Sequence, residues 1–284
     1  MNKAVHGNHA RCTETSQEHW PLMAQYWAQI GPPLRPAKED VASYQRSADE
    51  WIEAHGPPRV LLLGVTPEIY TMPWPKGHDF IAVDQTRTMV DYVWPGRRNQ
   101  IVEADWLDLP LPSASRDLAF CDGGLHLVEY PAAQLLLIDR LHDVIAPGGR
   151  CIFRFFAAPA TGETEAEVLN DLFAGHIPNL NVLKLRLGMA LQKSPEAGIE
   201  VREIWRVLRE QTNARDELAA RLSWPIEHLR PLEAYKNSKS RYHFISEDQA
   251  IELFCSNGKF ASVTSHRSEY VLGERCPIVV FERD

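Results

Sequence analysis

Val60-Leu61-Leu62-Leu63-Gly64-Val65-Thr66-Pro67-Glu68 is the stretch that decides the fold, and Asp84 follows Gly64 by twenty positions. It reads as a buried strand and a sharp turn, followed by a second strand that ends in an acidic residue. This spacing is typical of a nucleotide-binding βαβ unit, in which the acidic side chain accepts hydrogen bonds from a ribose diol. Only one glycine remains of the three that let a backbone approach a pyrophosphate. The stretch therefore predicts an adenosine ligand without phosphates.

The composition is that of a globular protein with a large core. The chain has 284 residues, 44% hydrophobic and 24% charged, which suits one α/β domain with insertions or a domain plus a cap. Its formal net charge of −8 argues against a nucleic-acid partner, which usually requires a basic surface. No transmembrane stretch and no signal peptide are recognisable, so we expect no membrane partner. The five cysteines lack metal-like spacing, which favours free thiols in the cytoplasm and no metal site.

Alternating strand-like and helix-like segments predict the architecture. Strands alternate with helices from Arg59 to Phe156, which specifies a doubly wound parallel sheet. Only Leu272-Gly273-Glu274-Arg275 joins the last two strands, and a connection this short requires an antiparallel pair. We therefore predict a Rossmann-like α/β fold with seven strands, the last pair antiparallel, plus an N-terminal helical cap and an inserted helical lid.

We expect four parts along the chain: a flexible N-terminus (1–14), the helical cap (15–56), the Rossmann-like domain (57–158 and 241–284) and the helical lid (159–240). The lid region carries helix-like runs and no convincing strand. Strands are predicted over 99–105 and over 150–155, the latter after a turn at 146–149. The sheet pattern is expected to resume at 242–245.

The order of these segments resembles the class I S-adenosylmethionine-dependent methyltransferases. The resemblance runs through 59–156 and again through 242–283. Gly64 and Asp84 follow the spacing of the first two motifs of that family. The resemblance implies that the cofactor is S-adenosylmethionine and that Asp84 binds both ribose hydroxyls.

The third motif of the family resembles Glu103-Ala104-Asp105-Trp106-Leu107-Asp108-Leu109-Pro110. This implies that Asp105 receives the adenine amine and that Trp106 lies beside the ring. Asp122, at the end of the fourth predicted strand, is then expected to face the methionine part of the cofactor. We also assign Met89, on the helix after the second strand, to the cofactor site.

The first motif departs from the family pattern at three positions. Leu62 stands where the family has an acidic residue that helps to hold the ammonium group of the cofactor. Thr66 and Glu68 replace two glycines, although Thr66 still offers a backbone N–H and a hydroxyl. Glu68 and Asp122 are the candidates to bind the ammonium group instead.

Aromatic residues near the N-terminus suggest a cover over the sulfonium. Electron-rich rings stabilise cations by roughly 0.5–2 kcal/mol, which makes Tyr26 and Trp27 candidates for this position. Arg35 is then expected to pair with the carboxylate of the cofactor. The alternative is that these aromatic side chains only attach an N-terminal helix pair to the domain.

His126 and Arg154 are, with Tyr26, the candidate catalytic residues. A neutral His126 after the fourth strand could act as a general base on the acceptor, or it is a satisfied helix histidine. Arg154 lies among phenylalanines and needs an anion, either a carboxylated substrate or an internal Asp or Glu. Four lid residues are candidates for an acceptor pocket, with a solvated helix face as the alternative: Asn179, Asn181, Lys184 and Arg186.

These features predict a small-molecule methyltransferase that acts by in-line displacement at the sulfonium. A second interpretation keeps the cofactor and changes the bond that breaks, in a cyclisation or alkyl transfer that releases methylthioadenosine. A third is a non-catalytic relative that binds the cofactor. The expected partner is a small-molecule substrate, and the sequence is compatible with a homodimer.

Overall fold

The computed structural model describes residues 19–211 and 215–284. The predicted flexible segment 1–14 lies outside the described residues. No helix in the described ranges is both long enough and apolar enough to cross a membrane.

A seven-stranded mixed sheet forms the centre of the molecule, with the strand order β3-β2-β1-β4-β5-β9-β8. The strands in chain order are β1 (Arg59–Leu63), β2 (Asp79–Val83), β3 (Ile101–Val102), β4 (Arg116–Asp122), β5 (Ile145–Arg154), β6 (Ile199–Glu200), β7 (Arg241–Tyr242), β8 (Phe260–His266) and β9 (Ile278–Arg283). The first five are parallel, whereas β9 runs antiparallel to both β5 and β8. The predicted fold class is therefore confirmed.

Helices cover both faces of the sheet and form the inserted region. In chain order they are α1 (Trp20–Gln25), α2 (Lys38–His55), α3 (Pro67–Tyr70), α4 (Arg87–Tyr92), α5 (Ala132–Val144), α6 (Glu165–Phe173), α7 (Leu180–Leu191), α8 (Val201–Glu210), α9 (Arg215–Leu222) and α10 (Glu247–Cys255). A long 3-10 segment, Ile226–Tyr235, follows α9.

Both faces of β1 are buried, which explains why apolar and polar residues do not alternate along this strand. Val60 and Leu62 pack into a core with α2, α3 and α4, while Leu61 and Leu63 pack into a second core with α5 and α10. Continuous apolar strands are the usual pattern when helices cover both faces of a parallel sheet.

A third core lies beyond the carboxyl ends of the strands and joins the inserted helices to the N-terminal segment. Its buried members come mainly from α6 to α9 and from 226–235, and Met23, Ile30 and Phe156 belong to it as well. Helix α1 contacts both α4 and the 226–235 segment. The N-terminal segment therefore bridges the sheet domain and the insert.

Several predicted strands differ in extent or partner. The strand predicted over 99–105 is shorter in the structure, where it is the two-residue β3. The turn predicted at 146–149 lies inside β5, where Gly148 has a φ of +72° and the register against β4 shifts. The strand predicted at 242–245 is β7, and it pairs with β6 in a separate two-stranded sheet. The insert therefore contains a short strand where none was predicted, because two-residue strands carry no periodicity to detect.

Candidate active site

One cavity lies at the carboxyl ends of β1, β2 and β4, beneath the N-terminal segment and the insert. It holds ≈ 830 Å³ of empty space, including its open mouth. The predicted site residues that line it are Gly64, Thr66, Asp84, Met89, Trp106, Asp122 and His126. The predicted residues outside its lining are Tyr26, Arg35, Glu68, Asp105 and Arg154. The described residues contain no group of three or more His, Cys, Asp or Glu side chains that could hold a metal ion.

Gly64 ends β1 in a conformation that a side chain would strain. Its φ is +89°, and its amide donates to the Val83 carbonyl at 2.8 Å. A β-carbon on Gly64 would lie 3.3 Å from the Trp106 ring. The one glycine retained in the first motif is thus required both by its backbone angle and by the close approach of the indole.

Asp84 follows β2 and is 8% exposed at the wall of the cavity. The Thr86 amide donates to its Oδ1 at 2.7 Å. Burial raises the pKa of Asp84 to about 6, although the hydrogen bonds from Thr86 lower it. Asp84 Oδ2 lies 3.9 Å from the position of a β-carbon on Gly64, so this oxygen faces the turn after β1.

Trp106 crosses the crevice between two glycines. Its Nε1 donates to the Val83 carbonyl at 2.7 Å, and a β-carbon on Gly124 would lie 3.0 Å from its ring. Asp105, by contrast, is exposed and accepts from the Leu107 amide at 2.9 Å. The structure therefore places Trp106 in the cavity and uses Asp105 as a cap of the short 3-10 turn Trp106–Asp108.

Arg154 has internal partners and does not reach the cavity. It is 0% exposed, and its Nε and Nη2 donate to Asp122 at 2.5 and 3.1 Å. Asp40 lies 3.6 Å from Nη1, and the Pro33 carbonyl accepts from Nη1 at 2.8 Å. Tyr44 also donates to Asp122, at 2.9 Å. The catalytic role predicted for Arg154 has no geometric support, since internal carboxylates already neutralise it.

Arg35 and Glu68 pair with each other at the edge of the site. Arg35 Nε and Nη2 both donate to Glu68 Oε1, at 2.9 and 2.5 Å, and the guanidinium lies 4.8 Å from the centre of the Trp27 ring. Glu68 Oε2 is buried and has no hydrogen-bond partner among the described residues. The two residues predicted to hold opposite charges of the cofactor therefore neutralise one another.

Trp27, and not Tyr26, faces the cavity. Tyr26 is half-buried and caps the C-terminus of α1 outside the lining, whereas Trp27 belongs to the lining. Trp27 Nε1 is buried without a hydrogen-bond partner in the part of the chain that is described. The catalytic assignment of Tyr26 is thus not supported by its position.

His126 is buried where β4 leads into the next segment. Its ring stacks on Phe244 at 5.3 Å and meets Tyr242 edge-on at 4.6 Å. Burial, and secondarily His243, lower the pKa of His126 to about 3. Its Nδ1 has no hydrogen-bond partner among the described side chains and backbone.

Beside the inserted helices the cavity contains three residues that the sequence did not single out, His19, Tyr235 and Tyr242, together with the predicted acceptor-pocket residue Lys184. His19 Nε2 lies 2.8 Å from the Tyr242 hydroxyl, and His19 Nδ1 lies 3.2 Å from Ser238 Oγ. Lys184 of α7 joins them, 2% exposed, with Nζ 4.3 Å from the centre of the Tyr235 ring. We call this the lid end of the cavity: His19, Lys184, Tyr235 and Tyr242. No local motif marks these residues, because they come from three distant segments.

Asn179, Asn181 and Arg186 lie outside the cavity lining, and two of them have structural roles. Asn179 caps α7 by accepting from the Val182 amide at 3.0 Å. Arg186 pairs with Glu163 and, at 2.6 Å, with Asp171. Of the four residues proposed for an acceptor pocket, Lys184 is the one that lines the cavity.

Residues 61–153, which run from β1 into β5, match the model of a family described as a methyltransferase domain. No curated protein matches the chain. A solved structure from Rhodobacter sphaeroides, whose name refers to Zn-dependent alcohol dehydrogenases, is 15% identical, with a TM-score of 0.61, over 94% of this chain and 98% of that one. This likeness concerns the fold alone.

Two further solved structures are similar over most of their length. The N-methyltransferase NodS from Bradyrhizobium japonicum, in complex with S-adenosyl-L-homocysteine, is 11% identical with a TM-score of 0.48, over 94% of this chain and 98% of that one. The 1,6-didemethyltoxoflavin-N1-methyltransferase of Burkholderia thailandensis is 14% identical with a TM-score of 0.46, over 97% of this chain and 92% of that one.

Proposed function

We propose that this enzyme transfers a methyl group from S-adenosylmethionine to a small molecule held in the cavity, since residues 61–153 match the model of a methyltransferase domain. The observation that carries the proposal is the enclosure of that cavity. The sheet supplies one wall, while Trp20, Met23 and Trp27 of the N-terminal segment and the inserted helices supply the others. Its lining combines buried polar groups at the sheet end with aromatic walls, which suits a nucleoside cofactor and an apolar acceptor.

The residues at the sheet end fit the adenosine part of the cofactor. We infer that Asp84 accepts hydrogen bonds from the ribose hydroxyls, since one of its oxygens is held by Thr86 and the other faces the crevice. Gly64 leaves room for close backbone approach, and Met89 with Trp106 would enclose the adenine. Thr66, also in the lining, would offer its backbone N–H and hydroxyl.

A buried polar atom without a partner supports the placement of the amino-acid end near Trp27. Trp27 lines the cavity, and its Nε1 is an unused donor suited to a carboxylate. Buried polar groups are normally hydrogen-bonded, so an unused donor beside a binding cavity supports a ligand at this position. Asp122 lines the same cavity, with its carboxylate fixed by Arg154.

S-adenosylmethionine supplies an electrophilic methyl group on a sulfonium. The chain contributes by aligning the acceptor, excluding water and placing aromatic rings such as Trp27 and Phe156 around the cavity. His126 is neutral at neutral pH, and a pKa of about 3 makes it a weak proton acceptor. We therefore assign His126 to orientation of the acceptor through Nδ1, and not to general-base catalysis.

Mass spectrometry of the reaction products tests this proposal. The protein would be incubated with S-adenosylmethionine, with and without a panel of small aromatic and aliphatic acceptors. We expect S-adenosylhomocysteine to accumulate only with an acceptor, in equal amount to the methylated product. Methylthioadenosine without an acceptor would instead indicate cyclisation or alkyl transfer. Binding of S-adenosylhomocysteine in calorimetry, with no product from any acceptor, would indicate a non-catalytic relative.

We also propose that the enzyme works in the cytoplasm. The four described cysteines are all unpaired thiols: Cys121, Cys151, Cys255 and Cys276. Three of them are buried and Cys255 is partly exposed. Free thiols are the usual state of cysteine in a reducing compartment, which supports this assignment.

A further inference from the structure

Lys184 is a buried lysine that forms no ion pair with the described residues. It lies on α7, is 2% exposed and lines the cavity. Its Nζ forms no hydrogen bond in the described ranges 19–211 and 215–284. A lysine nitrogen in this state loses its hydration without gaining hydrogen bonds, so the site is unfavourable unless a ligand completes it.

The neighbours of Lys184 do not neutralise it. The Tyr235 ring lies 4.3 Å from Nζ, and Tyr242 and His19 complete the lid end. Burial, Lys184 and His126, in that order, lower the pKa of His19 to about 3, so that this imidazole is neutral. Neither aromatic hydroxyls nor a neutral imidazole supply a negative charge at neutral pH.

The carboxylates that line the cavity belong to its sheet end. Among the described lining residues these are Asp84 and Asp122. Asp122 is bound by Arg154 and Tyr44, and Asp84 faces Gly64 and Thr86. The lid end therefore has a lysine, neutral polar groups and aromatic walls, but no anion.

We propose that Lys184 binds an anionic oxygen group of the methyl acceptor, so that the lid end selects a flat, apolar molecule that carries one carboxylate or phenolate. The inference rests on the proposed methyltransferase function, because it assigns the acceptor to the part of the cavity opposite Asp84. The ammonium would form a charge-assisted hydrogen bond to the anion.

The walls of the cavity specify the rest of the acceptor. Trp20, Phe156, Tyr235 and Tyr242 contribute aromatic surface around Lys184 and the centre of the cavity. Aromatic side chains favour planar apolar ligands through stacked and edge-on contacts. An anionic ring system can both bind Lys184 and stack on these aromatic side chains. A flexible polycationic or sugar-like acceptor can do neither.

Calorimetry with paired probes tests the assignment. 2-Naphthoate and its uncharged analogue 2-naphthamide would be titrated into the full-length wild type and Lys184→Met in the presence of S-adenosylhomocysteine. The matched control is Lys76→Met, which removes an exposed lysine from the loop before β2. We expect the wild type and the control to prefer the carboxylate by about tenfold or more, and Lys184→Met to lose the preference.

A second variant and a second probe keep the test decisive. Lys184→Gln retains a donor without the charge, and it is also expected to lose the preference for 2-naphthoate. 4-Nitrophenol replaces the carboxylate by a phenol, and its bound form should absorb as the phenolate in the wild type and as the phenol in Lys184→Met. Equal affinity of the wild type for 2-naphthoate and 2-naphthamide, or a preference that survives in both Lys184 variants, would overturn the assignment.

Separate titration of S-adenosylhomocysteine distinguishes this inference from the proposed function. We expect Lys184→Met to bind S-adenosylhomocysteine as the wild type does. The wild type could fail to bind S-adenosylhomocysteine and still show a Lys184-dependent preference for 2-naphthoate. That result would refute the methyltransferase proposal but not the anion site. Normal S-adenosylhomocysteine binding without any preference would refute only the anion site.

Discussion

Arg154 and Lys184 are both buried basic side chains, yet their surroundings are opposite. Arg154 is 0% exposed and contacts Asp122, Asp40 and a backbone carbonyl. Lys184 is 2% exposed and has no hydrogen-bond acceptor in the described part of the chain. The comparison teaches that a buried charge neutralised within the chain holds the fold together, whereas one left without a partner marks a place for a ligand.

The two cations also differ in what they connect. Arg154 joins the end of β5 to Asp122 of β4, to Asp40 of α2 and to the Pro33 carbonyl. It thereby holds the N-terminal segment on the sheet. Lys184 lies on the insert and lines the cavity beside Tyr235. We therefore assign fold stability to Arg154 and ligand selection to Lys184.

The largest expected effect comes from removing the paired cation. Arg154→Met leaves Asp122 and Asp40 buried without their counter-charge, and we expect a loss of about 3–5 kcal/mol in the free energy of unfolding. Urea denaturation followed by circular dichroism measures it. The double variant Asp122→Asn/Arg154→Met should recover part of the loss, since one uncompensated charge is gone. A single variant as stable as the wild type would refute the structural role of Arg154.

Removing Lys184, in contrast, should raise the free energy of unfolding. Burial lowers the pKa of Lys184 from 10.5 to about 7. Between these pH values the unfolded chain binds a proton that the folded protein does not, so this group makes stability rise with pH. At pH 7 we therefore expect Lys184→Met to be more stable than the wild type, by on the order of 2–4 kcal/mol, with the difference shrinking towards pH 10.

The measurement for Lys184 is a series of urea denaturation curves between pH 7 and pH 10. Other groups titrate in this range, so the informative quantity is the difference between variant and wild type at each pH. Lys76→Met is the control and should show no pH-dependent difference. A Lys184→Met protein that is less stable than the wild type at pH 7 would mean that Lys184 has a favourable partner in the absence of ligand.

Much of the sheet end could be predicted because its signals are local. β1 lies where the apolar run before Gly64 predicted a strand, and the spacing from Gly64 to Asp84 placed both residues at one crevice. The lid end could not be predicted in the same way. Lys184 lies on α7, most of whose residues are buried. The sequence alone does not distinguish such a lysine from one on a solvated helix face. The partners of Arg154 are likewise distant in sequence, and only the tertiary fold brings them together.

Asp84 extends the comparison to a buried anion. Its pKa is raised to about 6, chiefly by burial. A protonated carboxyl has fewer acceptor sites for a ribose diol, so we expect the affinity for S-adenosylhomocysteine to fall as the pH drops below 6. Asp84→Ala should weaken binding by about 1–3 kcal/mol at pH 7. Isothermal titration calorimetry from pH 5 to pH 8 measures both effects, and Asp84→Asn should show a flat profile over this range.

Arg35 supplies the intermediate case, a paired cation that is 22% exposed. Solvent screens its pairing with Glu68, so we expect Arg35→Met to lower the free energy of unfolding by no more than about 1 kcal/mol. The same denaturation assay measures it. A loss as large as that of Arg154→Met would show that exposure does not separate the two arginines.

A crystal structure with both S-adenosylhomocysteine and 2-naphthoate tests the central claim most directly. We predict the ribose hydroxyls at Asp84 and a naphthoate carboxylate oxygen within about 3 Å of Lys184 Nζ, with Arg154 still bound to Asp122 and Asp40. A carboxylate bound to Arg154 or outside the cavity, or a ribose away from Asp84, would contradict the account.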